Sequence, residues 1–388
     1  MKIIIIEHEP FNDRKNDHYY IQKFKDRSIS IEYWDLSKVL NYSKNINYNN
    51  EKPENYVLKF DNLNQFYGSL NEIDNLSTIL IVELFFKLQT VEIFKKIKDL
   101  KIKWVRLDFY YNPTNIFEPS KKINDIIFKL LEIKKIKERY NNFLLKKWQH
   151  LNLPNRVFVT GNLKNYPLVP KENIIGLDYF DIKTYEEKKG ISSLIGKKYI
   201  VFLDIMLPNH PDLQRSNLSS VKASTYFKKI NYFFDKIEKE TGYNVIIASH
   251  PKANYSNEFK NRVVLKNLTA ELCINAEIIL THGSLSISFP LLAKKPIIYL
   301  YFEEMFKIPT LYYYYKRMLK ASELLGAEII NIDKILFNNI LDSKVDFLKY
   351  TELLEKVYLK DVLEFDNFEI LLNSFNDLLF GEMDLAKN

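Results

Sequence analysis

His250-Pro251 and Gly283-Ser284-Leu285-Ser286 are the residues whose types and spacing best suit chemistry. Each follows a short apolar run, Val245-Ile246-Ile247-Ala248 in the first case and Ile278-Ile279-Leu280 in the second. Runs of that length without polar alternation suit strands buried on both faces of a parallel sheet. Polar residues just past them fall at carboxyl ends, where open α/β sheets take ligands. Pro251 holds His250 in an extended backbone, and an imidazole there can pass a proton to a phosphate or a leaving oxygen. The alternative is a histidine that satisfies a loop carbonyl. After Thr281, Gly283 makes a turn and Ser284 and Ser286 open a helix whose N–H groups suit an anion. Capping that helix is the plainer role for the serines, and it is compatible with anion binding.

A third group follows Phe202-Leu203. Asp204 sits where a strand ends, and Leu207-Pro208-Asn209-His210-Pro211-Asp212 comes next. A carboxylate there could take a proton from a hydroxyl or hold a sugar or ribose; the bland alternative is a turn stabilised by Asp204 and His210. Glu303 and Glu304, past the run ending at Tyr301, suit either ribose hydroxyls or a solvated acidic pair. In the N-terminal half Glu7, Glu83 and Asp108 each stand where a hydrophobic run ends.

The elements that must hold these residues alternate between strand and helix. Ile3–Ile6 and Ile29–Trp34 read as the first two strands of a Rossmann-like unit, with a helix through Tyr19–Lys25 between them. Ile79–Val82, Trp104–Leu107 and Val157–Thr160 continue it, with a long helix over Lys121–Leu151 closed by Pro154. Asn41–Pro53 reads as an exposed loop. Prolines and glycines between Tyr166 and Gly196 mark a crossing, and Lys198–Leu203 opens a second series. The expected division is 1–175, a linker at 176–197, a second unit at 198–335 and a helical segment at 336–388.

Composition narrows the function classes. A chain of 388 residues exceeds one ordinary core, and 46% hydrophobic with 27% charged residues is a folded globular composition. Nine glycines argue against repeated Gly-rich nucleotide loops. An excess of 56 Lys+Arg over 49 Asp+Glu is too mild to imply nucleic acid. The lone Cys273 excludes an internal disulfide framework and any multi-cysteine zinc site. The opening Met-Lys and four isoleucines are too short for a signal peptide core, and no apolar run is long enough to span a bilayer. A cytoplasmic protein is expected, with peripheral contact with the inner membrane as an option.

The strand ending in His250-Pro251, followed by Ser284 and Ser286 after a later strand, resembles bacterial sialyltransferases and Kdo transferases of GT-B fold, a group at work in capsule and lipopolysaccharide biosynthesis. The likeness covers residues 200–332 well and the N-terminal half only by architecture. It implies an α/β, GT-B-like fold of two Rossmann-like domains facing across a cleft, the first binding the acceptor and the second the nucleotide sugar. It implies an inverting, metal-independent transfer of an acidic sugar (a sialic acid-like nonulosonic acid or Kdo) from a CMP donor to a surface-glycan acceptor, with no cofactor beyond the donor. By resemblance His250 contacts the CMP phosphate and assists its departure, while Ser284 and Ser286 hold it; Pro251, Lys252 and Gly283 beside them, and Glu303 by its place past a strand end, are grouped with the donor site. The family's acidic base motif, Asp/Glu-Asp/Glu-Gly, is absent. The base is therefore Asp204 first, with Glu83, Asp108 and Glu7 behind it, and His210 grouped on the acceptor side. The alternatives are a UDP- or GDP-sugar glycosyltransferase, a CDP-alcohol phosphotransferase, and a non-catalytic scaffold of the same fold.

Overall fold

Short runs of isoleucine, valine and leucine become strands because a parallel sheet covered on both faces offers them no water. Lys2–Glu7 (β1), Ser30–Asp35 (β2), Val57–Lys59 (β3), Thr78–Glu83 (β4), Lys103–Asp108 (β5), Arg156–Thr160 (β6) and Ile174–Leu177 (β7) form one sheet. Its order is β3-β2-β1-β4-β5-β6-β7, with every pairing parallel. Tyr199–Leu203 (β8), Asn244–Ser249 (β9), Val264–Lys266 (β10), Ile278–Thr281 (β11), Ile297–Tyr301 (β12) and Glu328–Asn331 (β13) form the second, in the order β10-β9-β8-β11-β12-β13 and again all parallel. The computed structural model describes residues 1–41, 54–108, 140–141, 143–161, 166, 168–210, 213, 218–334, 340–360 and 365–381.

The two sheets repeat one topology. In each, the first strand lies inside, the next two extend to one side and the later strands to the other. The order therefore reverses between β1 and β4, and again between β8 and β11. Such a switch point leaves a crevice at the strands' carboxyl ends, the usual ligand position in open α/β sheets. The fold is thus α/β, with two Rossmann-like domains. Isoleucines 3 to 6 and every residue of β8 are buried, which pins both first strands in the middle of their layers.

The chain divides into two compact units, but not at the expected boundaries. Among the described residues, unit 1 takes those up to 177 and those from 360 onward, and unit 2 takes 178–359. A boundary at 175 would cut β7, which pairs with Val157–Thr160 of β6. Residues 178–197 are not a bare linker either. Helix Asp181–Lys188 lies there, and the buried Asp181 carboxylate accepts the Ser288 hydroxyl of unit 2. The tail is divided in turn: helix Phe347–Leu353 stays with unit 2, whereas helix Asn367–Phe380 returns to unit 1. There Phe368 and Phe375 pack on Phe24, with ring centroids at 4.9 and 6.0 Å. Lys23 and Arg27 pair with Asp366 and Glu369 at 2.7 and 2.5 Å.

The expected Tyr19–Lys25 helix is two short ones, Asp13–His18 and Ile21–Asp26, broken at Tyr20, whose φ of 53° is left-handed. Of the expected Asn41–Pro53 loop, 42–53 lie outside the described residues, as do 121–139 and 142 of the expected Lys121–Leu151 helix. No helix among the described residues is long and apolar enough to cross a membrane.

Candidate functional site

Unit 2 gathers its polar residues on adjacent strand tips. Asp204 follows β8, and its side chain is 4% exposed. Its carboxylate accepts the Met206 N–H at 2.8 Å, the His250 N–H at 3.3 Å and the Tyr255 hydroxyl at 2.7 Å. Burial raises its pKa despite those three donors. Asp204 therefore ties the tip of β8 to the turn after β9. That turn fixes His250 twice more: its carbonyl accepts from Ala253 N–H at 2.9 Å, and its ring Nδ1 accepts from Lys252 N–H at 3.1 Å. With Nδ1 serving as acceptor, the neutral ring carries its proton on Nε2. His210 stands beside it, with ring centroids 6.1 Å apart, and Tyr314 lies 6.1 Å beyond His210.

At the tip of β11 the backbone is satisfied from within. Thr281 Oγ1 accepts the Gly283 N–H at 3.1 Å and the Ser284 N–H at 3.0 Å. Ser284 Oγ accepts the Ser286 N–H at 3.2 Å. The expected long helix start is a 3₁₀ turn, Leu285–Ile287, running into the five-residue helix Ser288–Leu292. Gly283, at φ 96°, occupies a conformation that side-chain-bearing residues resist, and a Cβ there would meet Met318 Cγ at 3.3 Å. Beneath the turn His282 is wholly buried, its Nδ1 against the Leu300 carbonyl at 2.7 Å. Desolvation pushes its pKa down to about 4, so its ring is neutral. A cavity of about 30 Å³ opens here, with Gly283, Ser284 and Leu285 on one wall and Tyr314, Arg317 and Met318 on the other.

Unit 1 presents a different surface at its own switch point. Glu7 ends β1 and Glu83 ends β4, directly opposite in register. Glu7 is 2% exposed and accepts Lys15 Nζ at 2.7 Å and the Tyr19 hydroxyl at 2.5 Å. Burial opposes its charge, but Lys15 outweighs that, helped by His8, and its pKa falls well below the usual carboxylate range. Glu83 is pushed the other way, up to about 8, first by desolvation and then by the neighbouring Glu7 charge; Arg106 and the Leu107 N–H at 2.7 Å only partly offset this. One strand further on, Tyr166 donates to Asp108 at 3.3 Å and accepts from Arg106 Nη1 at 3.3 Å. A charge-paired carboxylate beside one that keeps its proton at neutral pH is the pattern of an acid–base site.

The structure thus joins Asp204, His210 and His250 in unit 2, with Gly283, Ser284 and Ser286 linked to them through Tyr314. Pro251 and Lys252 lie on the exposed side of the His250 turn. It joins Glu7, Glu83 and Asp108 in unit 1. Glu303 stands apart: about half exposed, it pairs with Lys334 at 3.4 Å and its N–H donates to Asp333 at 2.8 Å. Sequence reading passed over Tyr255, Tyr314, Arg317, Lys15 and Arg106. Tyr314, Arg317, Met318 and Ala321 recur at helical spacing on helix Pro309–Leu325, the one signal that could have shown a face turned to the β11 tip.

No family model and no curated protein matches this sequence. Among solved structures, Arabidopsis thaliana UGT89C1 complexed with quercetin is 8% identical, covering 97% of this chain and 99% of its own at a TM-score of 0.51. The S. aureus MnaA–UDP structure, 12% identical, covers 98% and 97% at 0.45. A glycotransferase of kitacinnamycin, 11% identical, covers 91% and 89% at 0.42. At such identities the likeness to UGT89C1 is one of fold.

Proposed function

We propose that the protein is a glycosyltransferase whose unit 2 binds the phosphate of a CMP-activated acidic sugar and whose unit 1 binds the acceptor. The observation that carries this reading is the run of contacts at the unit 2 strand tips, where His250, His210 and Tyr314 follow one another at ring-centroid separations of 6.1 Å and Tyr314 lines one cavity with Gly283 and Ser284. Two hydroxyls and an Nε2–H donor suit a phosphate better than a hydrolytic triad, because Asp204 bonds to the His250 backbone and not to its ring. The proposed donor rests on the His250-Pro251 and Ser284/Ser286 resemblance.

In the proposed reaction an acceptor hydroxyl attacks the anomeric carbon as the bond to the phosphate oxygen breaks. CMP departs with the electron pair, and His250 Nε2–H meets the developing charge. The hydroxyl proton goes to a carboxylate. Asp204 already holds three donors and is buried, so we assign it to positioning His250. Within unit 1, Glu83, raised to about 8, is the strand-end carboxyl we propose for proton transfer on an acceptor, working in its deprotonated form. The acceptor is proposed to be a surface glycan.

Thermal shift with CMP, UDP and GDP tests the donor. CMP should raise the midpoint most, by an amount set by its concentration over its Kd. His250→Ala should weaken that shift and lower turnover of CMP-sialic acid or CMP-Kdo by about 10²-fold or more. A larger shift with UDP would overturn the acidic-sugar donor, and no shift with any nucleotide would overturn the transferase reading.

A further inference from the structure

Anion sites at strand-to-helix turns usually draw on unspent backbone N–H groups and the charge of the helix end. After β11 three of these amides are already used, and no long helix begins. Thr281 Oγ1 consumes the Gly283 and Ser284 N–H groups, Ser284 Oγ consumes that of Ser286, and the helix that follows has five residues. His282, directly below, is neutral and wholly buried. A phosphate at this turn must therefore find its countercharge in a side chain.

Helix Pro309–Leu325 brings one. Tyr314, Arg317, Met318 and Ala321 lie along one face of it and line the cavity against Gly283, Ser284 and Leu285. Among the described residues of that lining, Arg317 is the only cation. The cavity, about 30 Å³, lies directly against the Gly283–Ser284 turn. From Tyr314 the aromatic contacts run on through His210 to His250, so the cavity that Arg317 lines adjoins the His250 turn through those rings. A planar guanidinium can grip two phosphate oxygens at once, which an ammonium cannot.

We propose that Arg317 is the anion-recognition residue of unit 2, meeting the nucleotide's phosphate over the Gly283–Ser284 turn with Tyr314 as the flanking donor. The inference rests on the nucleotide-binding reading and names the charge that reading lacks. Recognition then depends on a residue from the helix after β12, more than thirty positions along the chain from the serines. Gly283 lets that helix come close to the turn, since a Cβ there would meet Met318 Cγ at 3.3 Å.

Isothermal titration with CMP and with cytidine separates the phosphate's contribution from the base's, with UDP and uridine as the parallel pair. The wild type should bind CMP more tightly than cytidine. Arg317→Met should weaken CMP binding about tenfold to a hundredfold while leaving cytidine binding unchanged, the range expected for charge-assisted hydrogen bonds. Arg317→Lys, which keeps charge and bulk, should fall between the two and guards against misfolding of the methionine variant; unliganded melting is the control. Wild-type CMP affinity in a folded Arg317→Met or Arg317→Lys protein would overturn the proposal and leave nucleotide binding standing. Failure of the wild type to bind any nucleotide would remove both.

Discussion

The two units share a strand order and put opposite chemistry at the same place in it. At the switch point of unit 1 stand two carboxyls, Glu7 and Glu83, opposite each other in register. At that of unit 2 the corresponding tips carry Asp204 and the Thr281–Ser284 turn. Unit 1 neutralises its buried charge with charge: Lys15 and Tyr19 hold Glu7, and the cost passes to Glu83, which keeps its proton. Unit 2 satisfies its polar groups with neutral donors, so Asp204 leans on Tyr255 and two backbone amides. Topology chooses where a site forms, and the side chains on the tips decide whether it handles protons or anions.

Removing one side of the charged pair should have the largest effect. Lys15→Met leaves Glu7 buried with Tyr19 and His8 but no firm cation, and should cost about 3–5 kcal/mol in urea unfolding. Adding Glu7→Gln to it should recover much of that loss; an unrecovered loss would mean that Lys15 acts through packing and not through charge. No single neutral substitution at the unit 2 tip should reach that size.

Glu83→Gln comes next. It should lower turnover by about 10²–10⁴-fold with CMP affinity unchanged, as removal of a general base would. Because a base works deprotonated, wild-type kcat/KM should rise with pH and level off above about 8. A free-chain glutamate loses its proton near pH 4.3, so between there and about 8 the folded state binds one proton more than the unfolded state. The Glu83 contribution to stability therefore falls as pH rises across that window. Glu83→Gln should escape this fall and melt higher than the wild type above pH 8, with little difference near pH 4. A pH–rate profile flat between 6 and 9 would move the base elsewhere.

Thr281→Val is the smallest change and probes the neutral side of the comparison. It strips the acceptor from two N–H groups at once, and because Gly283 is exposed and Ser284 half-buried, about 1 kcal/mol is expected. Lost stability together with weakened CMP binding would support a preformed turn, whereas tighter anion binding would mean that the freed amides can serve the ligand themselves.

Central strands were legible because their residues are buried whatever lies around them. Ile3–Ile6, Ile79–Val82 and Ile278–Leu280 announce themselves, and so do the polar residues at which they stop. The strands β3 and β10 did not. Both read Val-Leu-Lys, both are three residues long and partly exposed, and backbone pairing with one neighbour is most of what makes them strands. Glu7, Glu83 and Asp108 could be placed at strand ends, but the opposite pKa shifts of Glu7 and Glu83 could not be seen, because they come from burial, from Lys15 and His8 meeting Glu7 in space, and from the Glu7 charge beside Glu83. Asp204 reads from its position as a base, a sugar or ribose contact or a turn stabiliser; the three donors that reach it from residues 206, 250 and 255 have no signature in the sequence. Arg317 had no local signal beyond helical spacing, since its relation to Ser284 exists only once the helix packs over the turn.

The return of helix Asn367–Phe380 to the first unit bears on how the protein is made. Residues 178–359 are contiguous and can close their layer before residues 365–381 leave the ribosome. The sheet begun by β1 waits for that final helix to cover Phe24 and to bring Ser374, whose carbonyl accepts from Arg156 at 3.0 Å. The half synthesised first is therefore the half completed last, and a chain cut short by premature termination would release a finished second domain tethered to an uncovered first one.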